Sequence, residues 1–160
     1  LFTEIETQNQ LELLYRATAT ELYSFALLTT GDAQAAERAV TDAFTDSFAS
    51  AGDKSDIERF KIQSLRRLCR SCRSPAKKTP YNPGGLLSGD LQKGGPPEGH
   101  RIFAQTLKRL CFDERCVLLL FFGMRFSMGD IAYMMCLPRF LVKCRLMGAT
   151  DKAWRAVADL

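Results

Sequence analysis

Two clusters of cations carry the chemistry most legible in this sequence. Arg66, Arg67, Arg70 and Arg73 crowd one short stretch, and Arg139, Lys143 and Arg145 follow the dipeptide Leu137-Pro138. Guanidinium and ammonium groups at helical spacing suit phosphates and guanine edges, so both clusters are candidate nucleic-acid contacts. The second lies in residues 126–145, where Ser127 can cap a short helix with Asp130 three residues on. Cys136-Leu137 then makes a tight turn, and Pro138 sits where a new helix takes its first turn. A short helix, a turn and a longer basic helix form a helix-turn-helix, whose second helix fits the DNA major groove. Ile131, Ala132 and Met135 are expected to face the core. An ordinary helical hairpin with a solvated basic face fits the same residues.

Cys69-Arg-Ser-Cys72 has a spacing that zinc and redox sites use. A structural zinc site needs four ligands, no second CxxC follows, and His100 is the sole histidine. Packed or exposed thiols are the plainer reading, and no metal or cofactor is expected. Nothing pairs His100 with a nucleophile, and no phosphate-binding glycine loop opens a helix, so the chain does not read as an enzyme. The six cysteines lie in or beside apolar helical patterns with no export signal, which reads as reduced thiols in the cytoplasm. No apolar run approaches the roughly 20 residues that span a bilayer.

These residues need helices to position them. Leu11, Leu14, Tyr15, Leu22, Phe25 and Ala26 recur at helical spacing, and Thr29-Thr30-Gly31-Asp32 ends that helix and starts the next. Ala36, Val40, Ala43, Phe44 and Phe48 give a second stripe. Ser55 or Asp56 can cap a third helix with Ile57, Phe60, Leu65 and Leu68 on one side and the arginines on the other. Five of the six prolines and six of the eleven glycines then fall between Ser74 and Gly99, which predicts a flexible linker. Beyond it, Ile102, Phe103, Leu107 and Leu110 make one helix, Asp113-Glu114 opens another through Phe122, and the helix-turn-helix follows. Its last helix passes Gly148, at a cost of roughly 1 kcal/mol. Strand alternation is absent. The expectation is an all-α protein of two small helical domains, residues 1–73 and 100–160, joined by residues 74–99.

Charge divides in the same way. Residues 1–52 hold two basic and eight acidic side chains, whereas residues 100–160 hold ten basic and five acidic ones. An acidic front and a basic back suggest two partners, one of them a polyanion.

Ordered along the chain, these residues resemble the extracytoplasmic-function sigma factors. Leu110, Arg115, Val117 to Leu120, Ser127, Asp130-Ile131-Ala132, Leu137-Pro138 and Val142-Lys143-x-Arg145 resemble region four, which in that family binds the −35 promoter element. Leu14-Tyr15, Leu22-Tyr23-x-Phe25-Ala26-Leu27, Thr30-Gly31-Asp32, Ala36-Glu37, Val40 and Phe44 resemble region two, which docks on the polymerase β′ subunit and melts the −10 element. The resemblance implies a sigma factor that directs core RNA polymerase to promoter DNA, with Glu37 and Asp42 facing polymerase. It also implies an anti-sigma factor as a partner, which is common in the family. Arg38 stands where the family usually has an acid, Cys136 replaces the usual glycine of the turn, and the Trp-Leu and Ala-Arg-Asn signature of region two is missing. Phe60, near that signature, is a candidate for contact with unstacked bases. Two other readings fit: a degenerate sigma-like regulator that does not initiate, and a helical protein-interaction module.

Overall fold

Each helix begins and ends where the backbone finds a substitute for its missing partners. In a computed structural model that describes residues 2–52, 54–78, 80–81 and 98–159, α1 spans Phe2–Thr30. It stops at Gly31, whose φ of 70° is cheap for glycine and whose N–H donates to Leu27 O at 2.8 Å. Asp32 Oδ1 accepts from Gln34 N at 2.9 Å and starts α2, Ala33–Ser50. Asp56 Oδ1 does the same for Arg59 N at 3.0 Å, in the first turn of α3, Ile57–Lys78. Four further elements follow: α4 (Glu98–Arg109), α5 (Phe112–Leu118, widening into a π-helical turn at Leu119–Gly123), α6 (Met128–Met135) and α7 (Arg139–Ala158). The fold is all-α. Helix α3 runs through Pro75 to Lys78, four residues past the expected start of the linker, and α4 starts at Glu98. Residues 79 and 82–97, most of that proline- and glycine-rich stretch, lie outside the described residues.

Helices α1 to α3 pack mutually through Leu14, Leu22, Phe25, Ala43, Phe44, Phe60, Leu65 and Leu68, all buried. Leu11 and Tyr15 share the helical spacing yet are exposed, as are all of residues 3–13. For residues 3–13 the reason is length: α1 has 29 residues against 18 in α2 and 22 in α3, so its first turns pass beyond the helices that would cover them, whereas Tyr15 stands at the rim of the α1–α2 groove. In the second half, Phe112, Cys116, Val117, Leu120, Ile131, Met135, Val142 and Leu146 are buried. The two halves share one continuous apolar cluster.

The seam between the halves is built around Arg115. Its side chain is 4% exposed, Nε donates to Thr29 O at 3.1 Å, and Nη1 donates to Leu110 O at 2.6 Å. The guanidinium also lies 4.0 Å over the Tyr81 ring, whose hydroxyl donates to Leu28 O at 2.7 Å. Burial lowers the pKa of Arg115 and pushes that of Tyr81 up to about 12. Three thiols fill the space beside them: Cys69, Cys72 and Cys116 are buried, whereas Cys111, Cys136 and Cys144 are exposed. Burial pushes Cys72 up to about 12 and Cys116 well above the ordinary thiol range. The CxxC pair is therefore core material, and Cys72 has little thiolate character.

Helix α7 is fixed to α5 through Glu114. Lys152 Nζ lies 2.6 Å from Glu114 Oε1, which also accepts from Cys111 N at 3.1 Å. A Cβ on Gly148 would stand 3.2 Å from Glu114 Oε2, so the glycine inside this helix leaves room for the carboxylate. Burial raises the Glu114 pKa, but the bonds from Lys152 and Cys111 outweigh it and the net shift is downward.

Arg115→Met should strand the Thr29 and Leu110 carbonyls and lower the melting temperature by about 5–15 °C, from about 1–3 kcal/mol per unsatisfied group. Cys69, Cys72 and Cys116, protected from maleimide in the native protein, should label faster in the variant. Unchanged melting and unchanged labelling would exclude Arg115 as the keystone of the seam. Because Glu114 has a lowered folded pKa, its stabilisation is present above the ordinary value of 4.5 and is lost as pH falls through the folded value. Glu114→Gln should therefore melt about 2–6 °C below wild type at pH 7, on the order of 1–2 kcal/mol. The two curves should converge in acid, which melting scans from pH 7 to pH 3 would check.

Candidate polymerase and nucleic-acid interfaces

The acidic candidates sit on α2. Asp32 caps that helix, and its apolar side (Ala36, Ala39, Ala43 and Phe44) is buried, which leaves Glu37, Arg38, Thr41 and Asp42 exposed on the opposite side. Glu37 lines two adjoining depressions. One, of about 570 Å³, is bordered by Gln34, Arg38, Thr41 and Asp42. The other, of about 470 Å³, lies between α1 and α2, where Tyr15, Tyr23, Val40 and Phe44 supply an apolar floor. Tyr15 is 59% exposed and meets Phe44 edge to face at 5.7 Å. The spacing of Tyr15 reads as part of the apolar stripe of α1, whereas Tyr23 entered only among the residues that resemble region two. Their hydroxyls were the available signal, since a tyrosine tolerates water at its polar tip. Acids beside exposed aromatics can grip a basic, partly apolar partner surface.

The four arginines of α3 do not share one fate. Arg70 is exposed. Arg73 Nη2 pairs with Asp113 Oδ1 of α5 at 3.1 Å. Arg66 lies 4.2 Å over the ring of Tyr133 on α6, and the Tyr133 hydroxyl also receives Gln63 Nε2 at 2.7 Å. Arg67 turns toward α2, where Nη2 donates to Ser50 Oγ at 2.8 Å. Arg67 borders a cavity of about 320 Å³ between α2 and α3, with Arg59, Gln63, Ser47, Ser50 and Gly52 around it. Arg67 Nε and Ser47 Oγ are buried there without a hydrogen-bond partner. Two guanidinium groups and two hydroxyls at one cavity suit an anionic or strongly polar ligand. Phe60 does not stand free for bases: it is 3% exposed and packs on Phe44, ring centroids 5.2 Å apart. The helix presents Phe60 to α2 because Leu65 and Leu68 lie on the same buried side.

The cations of α7 are positioned by a tight turn. Ser127 Oγ accepts from Asp130 N at 3.1 Å and starts α6. Ile131 and Met135 face the core as expected, joined by Met134, while Ala132 is half-buried. Cys136 closes the helix at φ 55° and ψ 42°, the left-handed conformation that usually takes glycine and costs another residue roughly 1–2 kcal/mol. Leu137 N donates to Ala132 O at 3.1 Å across this turn. Pro138 is the N-cap of α7. Lys143 and Arg145 are exposed. Arg139 lays its guanidinium across α6, where a Cβ on Gly129 would stand 2.7 Å from Nη2. The seven candidate cations thus fall into two groups on separate helices, and within each group some are already engaged.

No protein-family model and no curated protein sequence matches the chain. Among solved structures, the sigma factor RpoE of Bartonella quintana, in co-crystal with the anti-sigma factor NepR, matches with a TM-score of 0.65. The match covers 96% of this chain and 97% of that chain at 19% identity. No helix among the described residues is long and apolar enough to cross a membrane. The chain has a sigma-factor-like, all-helical fold.

Proposed function

We propose that this protein is a sigma factor, which binds core RNA polymerase and directs it to promoter DNA without catalysing a reaction of its own. The observation that carries the reading is the near end-to-end match to a sigma factor, covering both halves in order rather than one helical unit. The charge split supports it: the exposed acids of α2 suit a basic polymerase surface, and the cations of α3 and α7 suit DNA. In this reading Glu37 and Asp42 meet polymerase, with Tyr15 and Tyr23 adding apolar area. Arg139, Lys143 and Arg145 serve the −35 element as the basic helix of a helix-turn-helix. Arg66, Arg67, Arg70 and Arg73 serve the −10 region, and the α2–α3 cavity receives a nucleotide of the unpaired strand. An anti-sigma factor, such as the neighbour carries in its crystal, belongs to the same reading. The setting is cytoplasmic.

A second reading has an observation of its own. Tyr133 and Asp113 engage Arg66 and Arg73, so two of the cations assigned to promoter opening are held by the C-terminal half. A sigma-like regulator that binds polymerase or DNA but does not initiate is consistent with that arrangement.

Transcription in vitro separates the two. Added to core polymerase and a library of promoter fragments, the protein should yield discrete transcripts. Glu37→Lys with Asp42→Lys should reduce both transcripts and capture of core polymerase at least tenfold, with an unchanged helical circular-dichroism spectrum, because both residues are solvent-facing. Capture without transcripts would select the second reading, and unchanged capture by the double variant would remove α2 from the interface.

Lys143→Ala with Arg145→Ala should lower the logarithmic salt slope of duplex binding by about two units if both contact phosphate, near 0.9 per phosphate. If one contacts a base instead, preference for the promoter over random DNA should fall by roughly 1–3 kcal/mol. Titrations at several salt concentrations on two duplexes read both quantities. Wild-type behaviour on both would take this helix out of the DNA interface.

A further inference from the structure

The outward face of α7 is apolar at its centre. Val142, Leu146 and Ala149 are buried, so the opposite side faces solvent, and there Phe140 is 67% and Met147 63% exposed. Lys143 and Cys144, both exposed, lie between them along the helix. At 3.6 residues per turn, Met147 falls within about 20° of Phe140 around the axis, and Arg145 is turned away by about 140°. Arg139 is drawn back across Gly129. The first three turns therefore lead with a phenyl ring and a thioether, with Lys143 between them.

Charge indicates what this face meets. Residues 139–150 contain Arg139, Lys143 and Arg145 and no carboxylate. The first acid of the helix, Asp151, is paired with Arg155 at 3.1 Å. An apolar strip on a stretch whose only charges are cationic fits a surface that is apolar at one point and lined with phosphates. The DNA major groove is such a surface. Among its base edges, adenine, guanine and cytosine offer polar groups there, whereas thymine adds a 5-methyl group. The residues near the start of a recognition helix are the ones that reach base edges.

We propose that Phe140 is a specificity-determining residue that reads the 5-methyl group of a thymine in the major groove. This rests on the reading of α7 as a DNA-contacting helix and adds to it which base is chosen and by what contact. Phe140 has no donor or acceptor, so its discrimination comes from apolar contact alone. Lys143 beside it contributes charge without needing to choose a base.

The test uses the full chain assembled with core polymerase and duplexes selected from a random-sequence pool. Each thymine of a selected duplex is replaced in turn by deoxyuridine, which keeps every hydrogen-bonding group and removes the methyl. At one position or more the wild-type complex should bind the uracil duplex about fourfold more weakly, the ratio that corresponds to burying one methyl-sized group. Phe140→Ala should bind the thymine and uracil duplexes alike, with an unchanged salt slope, because the ring touches no phosphate. Lys143→Ala should keep the methyl dependence and lose salt slope. Wild-type binding indifferent to every methyl, or methyl dependence that survives Phe140→Ala, overturns the assignment of Phe140 while leaving α7 on DNA. Failure to retain any duplex, by an assembly that still captures polymerase, overturns both.

Discussion

Arg115 joins the two halves by serving two helix ends at once. Thr29 O lies in the last turn of α1 and Leu110 O directly follows α4, so both carbonyls belong to the set that a helix terminus leaves without an internal partner. A guanidinium suits them because it presents several donors in a fixed plane and places positive charge at the negative ends of two helix dipoles. Among the described residues no carboxylate is a hydrogen-bond partner of Arg115; carbonyls and the Tyr81 ring stabilise the buried cation instead. Hydrogen bonds to charged groups contribute about 1.5–3 kcal/mol each, enough to offset much of the cost of burying that charge. Tyr81 completes the arrangement by bonding Leu28 O, one residue before Thr29. The first half, the second half and the start of the intervening stretch thus meet at one side chain.

The same seam sets which cations are available. Once Arg115 holds α1 against α4 and α5, the α5 residue Asp113 reaches Arg73, and α6 brings Tyr133 over Arg66. Arg70, between them in sequence, stays exposed. DNA phosphates approaching α3 in this arrangement must compete with a carboxylate and an aromatic ring already in place. Displacing the half-exposed Arg73–Asp113 pair costs little, because solvent-screened ion pairs contribute about 0–1 kcal/mol. Freeing Arg66 gives up its contact with the exposed Tyr133 ring, worth about 0.5–1 kcal/mol at such a site. Access to the α3 arginines is therefore set by weak contacts that the packing of the two halves brings into place.

Local features of this fold were legible because local chemistry determines them. Asp32, Asp56 and Ser127 cap helices as their types and positions foretell, Gly31 takes the left-handed turn, and Ala36, Ala43 and Phe44 of the α2 stripe are buried, with Val40 and Phe48 half-buried beside them. What the sequence could not convey is which neighbour covers a face, and how far. Leu11 carries the right spacing but lies where α1 outruns its partners, and Tyr15 sits at the open rim of the groove between α1 and α2. Phe60 was legible as an aromatic residue near the basic stretch, yet its burial depends on Phe44, sixteen positions earlier. Arg115 was legible only as one of the residues that resemble region four, and Tyr81 only as part of a proline-rich connection. Their pairing across 34 positions has no periodic signature. Among the candidate cations, spacing identified the helices correctly but not that Arg139 would lie back over Gly129.

Helix α7 shows how such long-range contacts prepare a surface. Its start is held by the left-handed turn at Cys136 and the bond from Leu137 N to Ala132 O. Its middle is brought close to α5 by Gly148, and the Lys152–Glu114 bond fixes the next turn. Just past its end, Asp159 Oδ2 meets Arg109 Nη1 of α4 at 2.7 Å. Contacts at the start, middle and end of the helix leave it little freedom to roll about its axis. Rolling by about half a turn would bury Phe140 and Met147 and expose Val142, Leu146 and Ala149. The anchors at Cys136, Glu114 and Asp159 prevent this, so the apolar strip is held outward by the fold rather than by a lack of somewhere to bury it. Exposed apolar groups held in place in this way are a feature of surfaces that meet a partner.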